Sequence, residues 1–141
     1  MYFEPIRRLE IMDAVNPNRG MIGDLIQPFD EQGYFPELIT PGIAIMGVNE
    51  DRQALSNQGC GMAPDYIREK LYRLYSSDPQ LKMLDLGNIR HGFGIEDSFF
   101  AVRNAVAELL KHNIIPIIIG GSQDLTYANY TAYESLGQIV N

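Results

Sequence analysis

Tryptophan is absent, cysteine occurs once, and His91 and His112 are the only histidines. Basic residues are scarce as well: 11 Lys and Arg stand against 18 Asp and Glu, giving a formal net charge of -7. Each scarcity removes a class of function. One thiol, Cys60, permits no intrachain disulfide, so there is no disulfide scaffold and a reducing, cytoplasmic setting is expected. Glycines flank that thiol in Gln58-Gly-Cys-Gly-Met62, and neither histidine is near it in sequence, which favours an incidental cysteine over a nucleophile. An acidic chain without a Lys/Arg stripe is repelled by phosphate backbones, so no nucleic-acid partner is expected. Long apolar runs are missing too, and Met1-Tyr-Phe-Glu-Pro-Ile-Arg-Arg is not a signal peptide; neither a membrane span nor a membrane partner is expected. What remains, 141 residues with 45% hydrophobic and 21% charged side chains, is the composition of one globular domain.

Residues 1–41 carry weak periodicity and scattered turn residues, among them Asn16-Pro17-Asn18-Arg19-Gly20, Pro28, Gly33 and Pro36. They read as an arm or covering segment. From Gly42 the pattern sharpens. Gly42-Ile-Ala-Ile-Met-Gly-Val48 is apolar throughout and short, which predicts a strand buried on both faces. A polar loop, 49–61, follows it. Pro64 suits the first turn of a helix, and Ile67, Leu71, Leu74 and Tyr75 predict its apolar face. Leu81–Leu86 is a second strand, with Gly87-Asn88 as the turn after it. Asp97 or Ser98 caps the next helix, on which Phe99, Val102, Val106, Leu109 and Leu110 recur at helical spacing. Ile114–Ile119 is the third strand; Pro116 places an irregularity or a strand beginning there. A last helix runs from about Asp124 to Leu136, and Gln138-Ile-Val-Asn141 can open a fourth strand. Strands alternating with helices predict an α/β fold of three layers, with a mostly parallel sheet and helices on both faces.

In such sheets ligands bind beyond the carboxyl ends of the strands. That singles out loops 49–62, 87–97 and 120–124. In Gly120-Gly-Ser-Gln-Asp124 the glycines allow a sharp strand-to-helix turn and close approach to a ligand. Ser122 or Asp124 can equally be a plain helix cap. In the polar loop that starts at Asn49, Glu50 and Asp51 offer carboxylates suited to a hard metal or a cationic substrate, or simply a solvated loop. His91 can be a base, a ligand or neither, whereas His112 belongs with the carboxyl end of its helix. The sequence has no His-x-x-x-His pair, no His/Asp cluster and no phosphate-binding glycine loop with a lysine.

Four segments, in order and spacing over about residues 42–137, resemble the arginase/agmatinase/formimidoylglutamase (ureohydrolase) family. They are Ile45-Met-Gly-Val48 with its polar loop; Gly59-Cys-Gly-Met-Ala-Pro64-Asp-Tyr-Ile-Arg68, with Ala63 in place of a glycine; Asp85-Leu-Gly-Asn88; and Ile114–Thr126, similar to Pro-x-x-x-Gly-Gly-Asp-His-Ser. The resemblance implies an arginase-like fold whose strands here lie in the order 2-1-3. It also implies a pair of bridged manganese ions that activate water for attack on a guanidinium or formimino carbon. The first metal-binding histidine of the family would fall at Gln123, the preceding aspartate at Ser122 and the following serine at Asp124. A glutamine carbonyl is a poorer ligand than imidazole for manganese, and a shifted motif would make Asp124 the ligand instead. The family's later Asp-x-His-x-Asp and Asp-x-Asp segments do not occur before Asn141. Residues 42–141 are therefore expected to be the N-terminal portion of an arginase-like domain. As an isolated chain it is expected to be inactive and to bind no metal, with manganese and a small, amino-acid-derived substrate assigned to the full-length parent. Ser122, Gln123 and Asp124 are expected to line the site, with Asn49, Glu50 and Asp51 bordering it. An open third-strand edge implies a homo-oligomer. The competing expectation is a non-catalytic binding or structural protein that retains the fold around a degenerate metal site.

Overall fold

The computed structural model describes residues 2–38 and 42–137. In chain order the elements are β1 (Phe3–Glu4), α1 (Arg8–Val15), α2 (Ile22–Leu25), β2 (Gln27–Pro28), β3 (Gly42–Val48), a 3-10 turn (Cys60–Met62), α3 (Ala63–Leu71), β4 (Met83–Ile89), α4 (Ile95–Lys111), β5 (Ile114–Ile119), α5 (Leu125–Tyr133) and a 3-10 turn (Glu134–Leu136). β3 pairs in parallel with β4 on one side and with β5 on the other, so the three long strands take the 2-1-3 order. Two short strands from the N-terminal segment share the outer edge of β4. β2 runs parallel beside Leu84 and Asp85, and β1 antiparallel beside Asn88 and Ile89.

Alternation along the strands sends side chains into two cores. Ala44, Met46, Val48, Leu84 and Leu86 face α4 and α5, where they meet Val102, Val106, Leu109, Leu125 and Ala128. Ile45, Met83 and Ile119 face the other way, packing with Ile11 of α1, Ile26 and Tyr72. Complete burial of Val102, Val106 and Leu109 contributes about 1.5–3 kcal/mol each and seats α4 on the sheet. A 3.1 Å bond from Arg8 to Asp30 joins the two ends of the N-terminal segment to each other.

Several sequence expectations need correction. Gly87 and Asn88 are not a turn: β4 runs through them to Ile89, because Gly87 at φ 80° lets the strand continue under the Glu4 carbonyl, where a Cβ would stand 2.1 Å away. α4 begins at Ile95 with Gly94 as its cap, and Asp97 reaches back to accept the Gly94 N–H at 2.9 Å. Of the apolar face predicted for α3 only Leu71 packs against the core; Ile67 is exposed, Leu74 and Tyr75 lie beyond the helix end and are 56% and 64% exposed, and Arg68 and Tyr72 are buried instead. Pro116 sits mid-strand in an unbroken register with β3, opposite Ala44. Among the described residues β5 has no second strand neighbour, so a proline facing that edge removes no ladder bond. The expected fourth strand, 138–141, lies outside the described residues.

Candidate functional site

Three loops leave the carboxyl ends of β3, β4 and β5 side by side. The β5 corner is held by two consecutive left-handed residues, Gly120 at φ 77° and Gly121 at φ 78°. Neither position has room for a side chain. A Cβ on Gly120 would lie 2.4 Å from the Pro64 ring, and one on Gly121 would lie 2.9 Å from the Val48 carbonyl oxygen. Gly121 N–H donates to the Cys60 carbonyl at 3.2 Å. Ser122 donates to the Glu50 carbonyl twice, through its N–H at 2.8 Å and its hydroxyl at 3.2 Å. The corner is thus stitched to the loop after β3, and Ser122 does not cap α5. Asp124 occupies the N-cap position, but its side chain makes no cap bond. Both Asp124 carboxylate oxygens are enclosed and have no hydrogen-bond partner.

The loop after β3 uses its own carboxylates internally. Glu50 is 1% exposed and accepts from the Arg52 guanidinium, from the Arg52 N–H at 3.1 Å and from the Ser98 hydroxyl at 2.7 Å. The Arg52 hydrogen bonds hold the Glu50 carboxyl down at about 2 against the opposing effect of burial, with Ser98 adding to the depression. Asp51 accepts the N–H groups of Gly59 at 2.8 Å and Gly61 at 3.3 Å, closing the loop on itself. Asn49 keeps a buried side-chain oxygen without a partner.

Two cavities open at this end of the sheet. The larger, about 790 Å³, is lined by Asn49, Asp51, Asp65, Asn88 and His91 together with Glu4 and Arg7 of the N-terminal segment. The smaller, about 300 Å³, is lined by Ser122, Gln123, Thr126 and Asn129. The six residues singled out from sequence therefore divide. Asn49 and Asp51 border one cavity, Ser122 and Gln123 the other, and the Glu50 backbone joins the two groups. His112 caps the end of α4, 3.4 Å from Glu108.

Among the described residues no three His, Cys, Asp or Glu side chains converge as metal ligands. Gln123 is exposed, and the enclosed, unpartnered Asp124 is the one carboxylate at the β5 corner. The described donors do not fit a complete manganese site.

The family model described as "Arginase family" matches residues 41–140. The chain belongs to the arginase family. A formimidoylglutamase of Photorhabdus laumondii is 28% identical over 110 residues, covering 74% of this chain and 35% of that protein. A mitochondrial guanidino acid hydrolase of Mus musculus is 30% identical over 93 residues, 60% of this chain and 26% of its own length. Among solved structures, the formimidoylglutamase of Bacillus subtilis superposes with a TM-score of 0.65 at 26% identity, over 84% of this chain and 39% of that one. A manganese-containing formiminoglutamase of Trypanosoma cruzi has a TM-score of 0.66 at 22% identity, over 82% and 41%. The chain thus spans about a third of the length of the curated relatives it matches. Within this arginase-family sheet, sequence reasoning missed two polar clusters. One is Glu50–Arg52–Ser98. The other, beneath the strand ends, is Arg68 with Asp85, Tyr72 and Asn88. Its signal was present: a lone Asp inside an apolar strand and an Arg at i−4 to a buried Tyr.

Proposed function

We propose that this chain is the N-terminal portion of a metal-dependent hydrolase that cleaves a C–N bond in a guanidino or formimino compound derived from an amino acid. The observation that carries the reading is the family match over 41–140, with the Gly120–Asp124 corner at the carboxyl end of a parallel strand. Relatives named formimidoylglutamase and guanidino acid hydrolase support that substrate class. In this reading Ser122, Gln123 and Asp124 form one wall of the site, and Asn49, Glu50 and Asp51 its border. Manganese, when bound in the full-length parent, supplies an activated water. This chain's own part is structural: the Gly-Gly corner brings the backbone close, Glu50 anchors that corner through its carbonyl, and Asp124 offers an oxygen with no internal partner. In this reading the isolated chain does not hydrolyse substrate, and the remaining metal ligands belong to the full-length parent.

The test is release of the amine product from formimino and guanidino compounds. The full-length parent with manganese turns over and the 141-residue chain does not exceed a manganese-only control. A second reading, a binding or scaffold protein with the same fold, draws on the exposed Gln123 where imidazole would be expected. Metal titration of the parent separates them: two tight sites favour the hydrolase, none favours the scaffold.

A further inference from the structure

The geometry points to Arg52 as a positioning residue that fixes the loop after β4 against the loop after β3. Its guanidinium meets acceptors from both loops. It binds both Glu50 oxygens, the Phe93 carbonyl at 3.0 Å, the Gly94 carbonyl at 3.2 Å and the Ser98 hydroxyl at 3.2 Å. Ser98 completes the clamp: it donates to Glu50 at 2.7 Å and accepts the Gly92 N–H at 3.3 Å. Residues 92, 93 and 94 are therefore all held by a cluster that is rooted on the end of β3.

The consequence lies in what the pinned loop carries. Phe93 has its backbone bound and its ring fully exposed (103%), so the ring projects from a fixed base. His91, immediately before the clamped residues, lines the larger strand-end cavity with Asn49. Arg52 sets where these groups stand. Its Nε and Nη2 donors are spent inside the cluster, on Glu50, Gly94 and Ser98. Lysine cannot substitute: an ammonium is a point charge without the planar fork that reaches a carboxylate and two carbonyls together. The structural claim stands on the contacts alone; its consequence for substrate rests on the hydrolase reading.

Amide exchange in the wild-type chain and in Arg52→Lys and Arg52→Met tests the clamp. Exchange at Gly92, whose N–H is held by Ser98, should rise about tenfold or more in both variants, with β3 and β4 amides unchanged, as a local opening requires. No rise at Gly92, or a uniform rise across the sheet, overturns the positioning role. In the full-length parent the same variants should raise KM while leaving kcat within about twofold, the pattern of lost ground-state binding. A loosened loop with unchanged KM also overturns it. If the wild-type parent hydrolyses neither formimino nor guanidino compounds, the hydrolase reading fails and the exchange result still decides the clamp.

Discussion

Replacing Arg68 by methionine should be among the most damaging single changes in this chain. Arg68 and Asp85 are both fully buried and meet through two bonds, 2.7 and 2.9 Å. Asp85 also accepts the Tyr72 hydroxyl at 2.8 Å and the Gly87 N–H at 2.9 Å, while Arg68 reaches Asn88 at 2.7 Å and the Gly87 carbonyl at 3.0 Å. Burial works against the Arg68 charge, but Asp85 outweighs it and leaves the guanidinium pKa above its ordinary value. The same burial, reinforced by the Asp85 charge, pushes the Tyr72 hydroxyl up, so it stays a donor. Removing Arg68 strands the Asp85 charge inside the sheet, and breaking such a pair from one side costs about 3–5 kcal/mol. Domains of this kind have roughly 5–15 kcal/mol in total. With a urea slope of about 1–3 kcal/mol/M, the unfolding midpoint of Arg68→Met should fall by more than about 1 M. Arg68→Met combined with Asp85→Leu should lose less than the sum of the two single changes, because no unpaired charge is left behind. Urea unfolding followed by circular dichroism reads both. A loss under about 1 kcal/mol for Arg68→Met would refute the reasoning, since it would mean the buried carboxylate is not stranded.

Other outcomes follow from the site and the open edge. Gly120→Ala forces a side chain onto a left-handed residue and into the Pro64 ring; it should cost at least about 1–3 kcal/mol in urea unfolding, and a neutral result contradicts the tight corner. Glu50 has a depressed folded pKa. Its contribution is therefore present above its ordinary value of 4.5 and is lost as pH falls through about 2. A carboxyl titration by NMR with a midpoint near 4.5 would show that the Arg52 clamp is not formed. Ile115 and Ile117 are 61% and 39% exposed on β5, whose second edge has no strand partner among the described residues. The isolated chain should self-associate, and Ile115→Lys should weaken that association. Light scattering that shows a strict monomer at high concentration rules it out.

The sheet was legible in the sequence because β3, β4, α4 and β5 are long apolar patterns with one dominant period. Gly42–Val48 and Ile114–Ile119 coincide with the observed strands residue for residue. The face of α3 differs from the pattern because Tyr66 and Ile67 are exposed while Arg68 is fully buried. Arg68 stands on the inward face of the helix, where Asp85, 17 positions away in sequence, together with Asn88 and the Gly87 carbonyl makes that burial tolerable. Periodicity counts hydrophobes and cannot see such a pair. β4 was cut short for a related reason: Gly87-Asn88 has turn composition, but Asn88 is fixed by Arg68 inside the strand. The Gly120–Asp124 corner was visible as a strand followed by paired glycines. That Ser122 would bind the Glu50 carbonyl, and that Glu50 would be locked by Arg52 and Ser98, depends on contacts spanning 72 and 48 positions. The short strands β1 and β2 have two residues each, too few for any period to register.

Hydrolysis by the full-length parent and by this chain, each with and without manganese, tests the central claim most directly. The account predicts turnover of a formimino or guanidino compound by the manganese-loaded parent and none by the chain above the metal-only control. Turnover by the chain alone would contradict it.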